Sequence, residues 1–390
     1  MNVATLGDVC RVTTGQSAPQ DAEAFGSAGI PFVRAGSLER LCDGESENAL
    51  ELVPPEQAEK YRLKIFPKDT IVFAKSGMSA KVGRVHRLRR DCHVVSHLAA
   101  VLPSREVDSG YLRRWFEYSP PSRLIENNAY PSIKTSTLEK IKFPLPPLVE
   151  QRRIAAILDK ADALRAKRRE TIAKLDQLLQ SVFIDMFGDP LENPKGWLVS
   201  SVGESCEKVT VGIVVKPASY YVERGVPALR SLNIGVNRII ENDFVYFSEA
   251  DNSGPLKKTK LRKGDVVAVR SGQPGKAAVV PESLDGANAI DVLIARTDNR
   301  LMLPEFLAHF LNSPAGKRLV LAEQRGQVQK HLNVKQLAEA EVPLPPIALQ
   351  REFLQAANSI EALRGQMGGS LSMADALLES IQRRAFAGSL

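Results

Sequence analysis

From Leu148 to Phe187 the chain carries no glycine and no proline, and apolar residues return every three or four positions. They fall at Ile154, Ile157, Leu158, Ala161, Leu164, Ile172, Leu175, Leu178, Leu179, Val182 and Met186. That spacing is the period of an α-helix. Pro146 and Pro147 stand just ahead, where proline is tolerated at a helix start. Gly188 follows as a left-handed C-cap, with Pro190 beyond it. At 1.5 Å per residue, a helix of ~40 residues is ~60 Å long. A helix of that length with one apolar stripe calls for a partner helix.

The partner is in the same chain. Ile347 to Ala385 repeats the pattern through Phe353, Leu354, Ala357, Ile360, Leu363, Met367, Leu371, Leu377, Leu378 and Ile381. Gly365, Gly368 and Gly369 interrupt this copy, and each costs about 1 kcal/mol in a helix relative to alanine. A kink or break is expected near Gly368-Gly369, with Ser370 or Ser372 capping a restarted helix. The two runs are copies of one segment. Phe143 to Phe187 returns 199 positions later without a gap: Pro144-Leu145-Pro146-Pro147 becomes Pro343-Leu344-Pro345-Pro346, and Gln151-Arg152 becomes Gln350-Arg351. Ala163-Leu164-Arg165 likewise becomes Ala362-Leu363-Arg364.

Ahead of each helix lies a region of short strand-like runs, such as Ile71-Val72-Phe73-Ala74 and Val266-Val267-Ala268-Val269, separated by loops rich in glycine, proline, serine and asparagine. These regions are distantly alike. Asp69 leads through a strand to Lys75-Ser76-Gly77, as Asp265 leads to Arg270-Ser271-Gly272. The expected fold is α+β: two globular mixed α/β domains in tandem, each followed by a long helix, the helices pairing as an antiparallel coiled coil. The boundaries read as domain 1 at 1–142, spacer helix 1 at 143–188, domain 2 at 189–341 and spacer helix 2 at 342–390. The globular units diverge while the helices match without a gap. Different targets for the two domains and one shared job for the helices would produce that contrast.

Composition adds little except through the placement of charge. With 44% hydrophobic and 25% charged residues, the chain reads as an ordinary globular protein. No apolar run approaches the ~20 residues that span a bilayer, and Met1 to Cys10 does not read as a signal peptide. Cys10, Cys42, Cys92 and Cys206 are widely spaced, which fits free thiols and a cytoplasmic location. The net charge is +7, yet residues 62–90 alone carry +8 and residues 257–276 carry +6. Two basic runs at equivalent places on an otherwise acidic chain point to a polyanion, and nucleic acid is the expected partner.

Reading DNA needs donors and acceptors at base edges, with cations on phosphates. Three pairs of segments offer such groups. The first is Lys75-Ser76-Gly77 with Lys81 and Arg84, matched by Arg270-Ser271-Gly272 with Lys276. The second precedes each helix: Asn127, Asn128, Tyr130, Ser132 and Lys134 in one copy, and Arg325, Gln327, Gln329, Lys330 and His331 in the other. The third is Arg34 to Ser37, matched by Arg230-Ser231.

Catalytic patterns are missing. The Pro-Pro pairs are followed by Glu56, Ser122, Leu148 and Ile347, none of them the aromatic residue that an adenine methyltransferase uses to hold a flipped base. There is no GxxxxGK[ST] loop for ATP and no Pro-Asp dipeptide of the usual restriction nuclease core. Cys92, His93 and His97 read as one strand over 92–102 with both histidines on a face, not as a zinc site.

The paired Pro-Leu-Pro-Pro…Gln-Arg signatures at 144–152 and 343–351, each opening a long helix behind a globular unit, resemble the specificity (S) subunit of type I restriction–modification systems. The strands leading to Ser76-Gly77 and Ser271-Gly272 are similar to that family's target-recognition domains, and the resemblance covers essentially the whole chain. It implies a non-catalytic DNA reader in which each domain grips one half of a bipartite double-stranded target. The helices would space the two domains and dock two methyltransferase subunits, with Gln151, Arg152, Gln350 and Arg351 as partner contacts. Motor–nuclease (restriction) subunits would join that assembly. The chain would hold no cofactor, while its partners would use S-adenosylmethionine, ATP and Mg. A spacer of ~60 Å corresponds to roughly 17 base pairs of B-DNA between half-site centres, which leaves an unread gap of about 6–8. A recognition subunit of another multi-subunit DNA-modification or phage-defence system is the alternative.

Overall fold

The computed structural model describes residues 2–321 and 331–388, which divide into two compact units. One holds residues 1–170 and 368–390, and the other holds 171–367. Each unit therefore contains one globular domain, part of one long helix and part of the other.

In the first unit the strands are β1 (Val3–Thr5), β2 (Cys10–Thr14), β3 (Ile30–Val33), β4 (Leu52–Val53), β5 (Ile71–Ala74), β6 (Val85–Arg87), β7 (His93–Val94), β8 (Leu98–Pro103) and β9 (Lys142–Pro144). An antiparallel sheet runs in the order β2-β8-β5-β6, and a second sheet in the order β4-β3-β7, with β3 parallel to β7. The second unit holds β10 (Leu198–Ser201), β11 (Cys206–Val211), β12 (Tyr221–Val222), β13 (Val226–Leu229), β14 (Val245–Phe247), β15 (Val266–Val269), β16 (Ala277–Val279), β17 (Asn288–Ala289), β18 (Val292–Thr297) and β19 (Glu341–Leu344). Its sheets, β11-β18-β15-β16 and β12-β14-β13-β17, repeat the same plan with one more strand.

The central strands are apolar at every position because both of their faces are covered. Side chains alternate across a strand. Ile71 and Phe73 of β5 pack with Tyr111, Leu112 and Phe116 of helix Ser109–Tyr118, while Val72 and Ala74 face a second core with Phe32, Val33 and Val94. In β15 the split is the same: Val266 and Ala268 meet Phe306 and Phe310 of helix Pro304–Asn312, and Val267 and Val269 meet Leu229 and Ala289. Gly15 and Gly212 sit where these layers touch. A Cβ would lie 1.9 Å from the Val94 carbonyl oxygen at Gly15, and 2.3 Å from that of Ala289 at Gly212. Only glycine fits such an approach.

The first long helix runs Leu148–Phe187 and the second Ile347–Ala387. In the first unit, Ile154 and Leu158 from the start of one share a core with Leu378 and Ala385 from the end of the other. In the second unit, Phe183 and Phe187 share a core with Phe353 and Ala357. Start meets end in both, so the helices pair antiparallel. The four phenylalanines Phe183, Phe187, Phe306 and Phe353 form one aromatic cluster with centroids 5.0–5.9 Å apart. A small strand pair closes each unit behind the Pro-Pro signature: β1 on β9, with Val3 opposite Pro144, and β10 on β19, with Leu198 opposite Leu344.

Two expectations are corrected. The second helix does not break at Gly368-Gly369: it is helical throughout, and Ser372 Oγ bonds back to the Gly368 carbonyl at 3.2 Å instead of capping a new start. Helical pairing outweighs the low propensity of three glycines. Residues 92–102 form two strands, not one. β7 belongs to one sheet and β8 to the other, with Ser96 and His97 in the turn between.

Candidate nucleic-acid interface

β5 and β15 end at Ala74 and Val269, and the next three residues are cation, serine, glycine. In the first unit Ile133 N–H donates to the Lys75 carbonyl at 2.7 Å and Gly77 N–H to that of Pro131 at 3.0 Å. Ser76 thereby pairs with Ser132 as an isolated antiparallel bridge. In the second unit Leu332 N–H donates to the Arg270 carbonyl at 2.8 Å, and Ser271 pairs with His331. The strand-end segment and the pre-helix segment, far apart in sequence, are thus laced together in each unit. Along Tyr130 to Lys134 the residues alternate outward and inward: Tyr130, Ser132 and Lys134 are exposed, while Pro131 and Ile133 are buried. Asn127 turns the loop by accepting the N–H groups of Ala129 and Tyr130, beside exposed Asn128. Arg325, Gln327, Gln329 and Lys330 lie outside the described residues.

Gly77 and Gly272 have φ of +77° and +82°, and no described residue stands within 4 Å of a Cβ built on either. The left-handed backbone calls for glycine, and both glycines are exposed. Both serines meet a histidine. Ser76 Oγ lies 2.9 Å from His97 Nδ1, and Ser271 Oγ lies 2.7 Å from His331 Nδ1. The two histidines come from different places: His97 from the turn before β8, His331 from the segment before the second helix signature. Sequence comparison of the repeats does not align them, which is why this shared feature was missed.

The basic runs are partly neutralised within the fold. Arg84 pairs with Glu39 at 2.6 Å, Arg87 approaches Asp69 at 3.8 Å, and Lys263 pairs with Glu282. Arg89 N–H donates to the buried carboxylate of Glu47, which also meets His86 Nε2 at 2.8 Å. Burial pushes the Glu47 carboxyl up, but those hydrogen bonds leave it below the usual range, while burial holds His86 below its own. Lys75, Lys81 and Lys276 make no ion pair among the described residues, and Lys81 is exposed. They are among the cations of the two runs that stay available to an outside anion, and they lie nearest the two serine–glycine segments.

The third pair of segments is largely occupied. Arg34 is bonded to Glu51 at 2.6 Å and lies over the rings of Phe25 and Phe32. Arg230 is bonded to the carbonyl of Asp243 at 2.6 Å, beside partly buried Ser231. Ser37 is only 7% exposed and does not present its hydroxyl.

Gln151 and Gln350 also leave the accessible set. They are 1% and 0% exposed. Gln151 Nε2 donates to the carbonyls of Glu106 and Pro146, and its Oε1 accepts from Asp108 N–H. Gln350 does the same with Leu301, Pro345 and Leu303. Each glutamine pins the first turn of a long helix to its own domain, and its buried side chain is not presented at the surface. Their neighbours Arg152 and Arg351 are exposed.

Among the described residues no group of three or more His, Cys, Asp or Glu side chains could hold a metal ion. Burial pushes the thiols of Cys10, Cys92 and Cys206 up to about 12. His93, bonded to the Lys64 carbonyl at 2.8 Å, is held below the usual histidine range by burial. No described helix is long and apolar enough to cross a membrane. Chemically, the surface offers cations and hydroxyls to an external acceptor, with an imidazole bonded to each hydroxyl.

Comparison with known proteins agrees with this architecture. The chain is 24% identical over 389 residues to the type I restriction enzyme EcoKI specificity subunit of Escherichia coli K12, covering 93% of this chain and 82% of that subunit. It is 24% identical over 319 residues to the EcoBI specificity subunit of Escherichia coli, covering 72% of this chain and 66% of that subunit. The crystal structure of the type I restriction–modification S subunit from M. genitalium superposes with a TM-score of 0.59 at 14% identity, over 99% of this chain and 96% of that one. The family described as the type I restriction modification DNA specificity domain matches residues 1–176 and again 194–360. Two matches in tandem over most of its length mean that this chain belongs to the type I restriction–modification DNA specificity family.

Proposed function

We propose that the chain is the DNA-reading subunit of a type I restriction–modification complex and has no catalysis of its own. The carrying observation is the repeated constellation in the two units: a strand-end cation and serine, an exposed glycine, and a histidine on the serine, laced to the segment that precedes each long helix. Each domain reads one half of a split duplex target, and the paired helices set the spacing between the halves. Lysines such as Lys75 and Lys81 supply phosphate contacts and salt dependence, while hydroxyl and amide groups around them meet base edges. Exposed Arg152 and Arg351, at the start of each long helix, contact methyltransferase subunits. Those subunits carry S-adenosylmethionine, and restriction subunits carry ATP and Mg. The complex works in the cytoplasm.

The test is co-expression with the cognate methyltransferase subunit followed by genome-wide mapping of methyladenine. The expected result is a split motif with an unread gap, changed in one half only when residues 1–142 are exchanged for those of another such subunit. Methylation at a short continuous motif, or none, overturns the proposal.

A further inference from the structure

The second unit holds a hydrogen-bonded relay that has no counterpart among the described residues of the first. Arg270 Nη1 donates to Asp291 Oδ1 at 2.5 Å, and Arg270 Nη2 meets His331 Nε2 at 2.8 Å. A guanidinium has only donors, so His331 Nε2 accepts with its lone pair. The neutral ring then carries its proton on Nδ1 and donates it to Ser271 Oγ at 2.7 Å. Ser271 keeps its own hydroxyl proton for an outside acceptor. The guanidinium also aims Nε at the Leu332 carbonyl, at 3.4 Å. Among the described residues, one N–H on each terminal nitrogen is left without a partner. Its side chain is 16% exposed, and Ser271 and His331 are exposed beside it.

Asp291 occupies a left-handed backbone position, φ +49°, in the turn between β17 and β18. Such a conformation costs a non-glycine residue energy and tends to persist where the surroundings need it. Here it aims a carboxylate at Arg270. The equivalent cation of the first unit, Lys75, is a point charge without a fork.

We infer that Arg270 reads a guanine in the half-site of the second domain, through its two remaining N–H groups on O6 and N7, with Asp291 and His331 as positioning residues. The pairing follows from geometry: guanine offers two adjacent acceptors in the major groove, whereas adenine replaces one with a donor. This inference rests on the two-headed DNA reading proposed above.

The experiment uses the complex with its methyltransferase subunits, once its split motif is mapped. Duplexes carrying 7-deazaguanine at each guanine of the second half-site in turn compete against the natural duplex at fixed salt. At one position the loss of N7 is expected to weaken binding roughly tenfold. The Arg270→Lys complex should discriminate less between the two duplexes, because the fork is lost, and keep its affinity for non-specific DNA, because the charge remains. Asp291→Asn, which tolerates the same backbone but loses the ionic clamp, should show an intermediate ratio. A second half-site without guanine, uniform tolerance of 7-deazaguanine, or undiminished discrimination by Arg270→Lys overturns the relay while leaving the two-headed reader standing. Absence of any split target overturns the reader, and this inference with it.

Discussion

Asp176 of the first long helix and Arg364 of the second form an ion pair at 2.7 Å. Moved by the repeat length of 199, the same two positions are Asp375 and Arg165, which pair at 2.5 Å in the other unit. The duplicated segment thus binds its own copy through one contact used twice, as antiparallel pairing of copies requires. Arg364 is 23% exposed and Asp176 49%, so solvent screens the pair. A double-mutant cycle on Asp176→Asn and Arg364→Gln should give a coupling of about 0.5–1 kcal/mol in urea unfolding. The cycle on Asp375 and Arg165 should give the same value. A coupling near zero at both would mean that apolar packing alone joins the helices.

The two buried glutamines make a stronger statement. Gln151→Leu would remove the partners of the Glu106 and Pro146 carbonyls and of the Asp108 N–H. Pro146 is buried, Asp108 half-buried and Glu106 exposed, so water replaces part of what is lost and a cost of about 1–3 kcal/mol is expected. Gln350→Leu should cost the second unit a similar amount. Hydrogen exchange resolved by unit would check both, and exchange at the start of the affected helix should rise first. A change in methyltransferase affinity at unaltered stability would instead return these residues to partner contact.

The fold was legible because its signals are periodic. The helical spacing of Ile154, Leu158 and Val182, and the unbroken apolar runs of β5 and β15, each imply a buried face or two. The site was legible only in part. Lys75-Ser76-Gly77 and its copy stood out by repetition, but Asp291 and His97 come from turns whose equivalents differ between the repeats. Hydrogen bonds between residues 60 positions apart, such as Ser271 to His331, leave no trace in local pattern. The glutamines misled for a related reason: repetition marks a position that matters twice, and structural pinning repeats as faithfully as partner binding.

Gly365, Gly368 and Gly369 were expected to break the second helix and do not. A Cβ at any of the three would meet nothing within 4 Å, so alanine fits without strain. Each replacement should stabilise the helix by about 0.5–1 kcal/mol, or roughly 2 kcal/mol for the triple variant. Thermal unfolding of the triple variant should show a higher midpoint with the same methylation motif. An unchanged or lower midpoint would mean that the glycines relieve a bend that alanine cannot follow.

His309 makes the second unit sensitive to acid. Its Nδ1 accepts from Asn237 Nδ2 at 2.9 Å, its ring stands edge-on to Phe353 at 5.1 Å, and burial lowers its pKa to about 4. An unfolded histidine takes its proton near 6.5. Between these values the unfolded chain is protonated and the folded one is not, so stability present at neutral pH falls as pH drops. The loss is about 2 kcal/mol at pH 5 and about 3 kcal/mol at pH 4. Asp298, held at about 2 by hydrogen bonds from Arg300, titrates below that window. His86 and Glu47 respond to acid in the first unit only, so the readout must be resolved by unit. Hydrogen exchange of the β15–β18 amides at pH 7 and pH 5, corrected for intrinsic rates, should show the drop in the wild-type chain. Most of it should vanish in His309→Gln, which keeps an acceptor for Asn237 but carries no titrating group. An equal drop in both chains would place the acid sensitivity elsewhere in the unit.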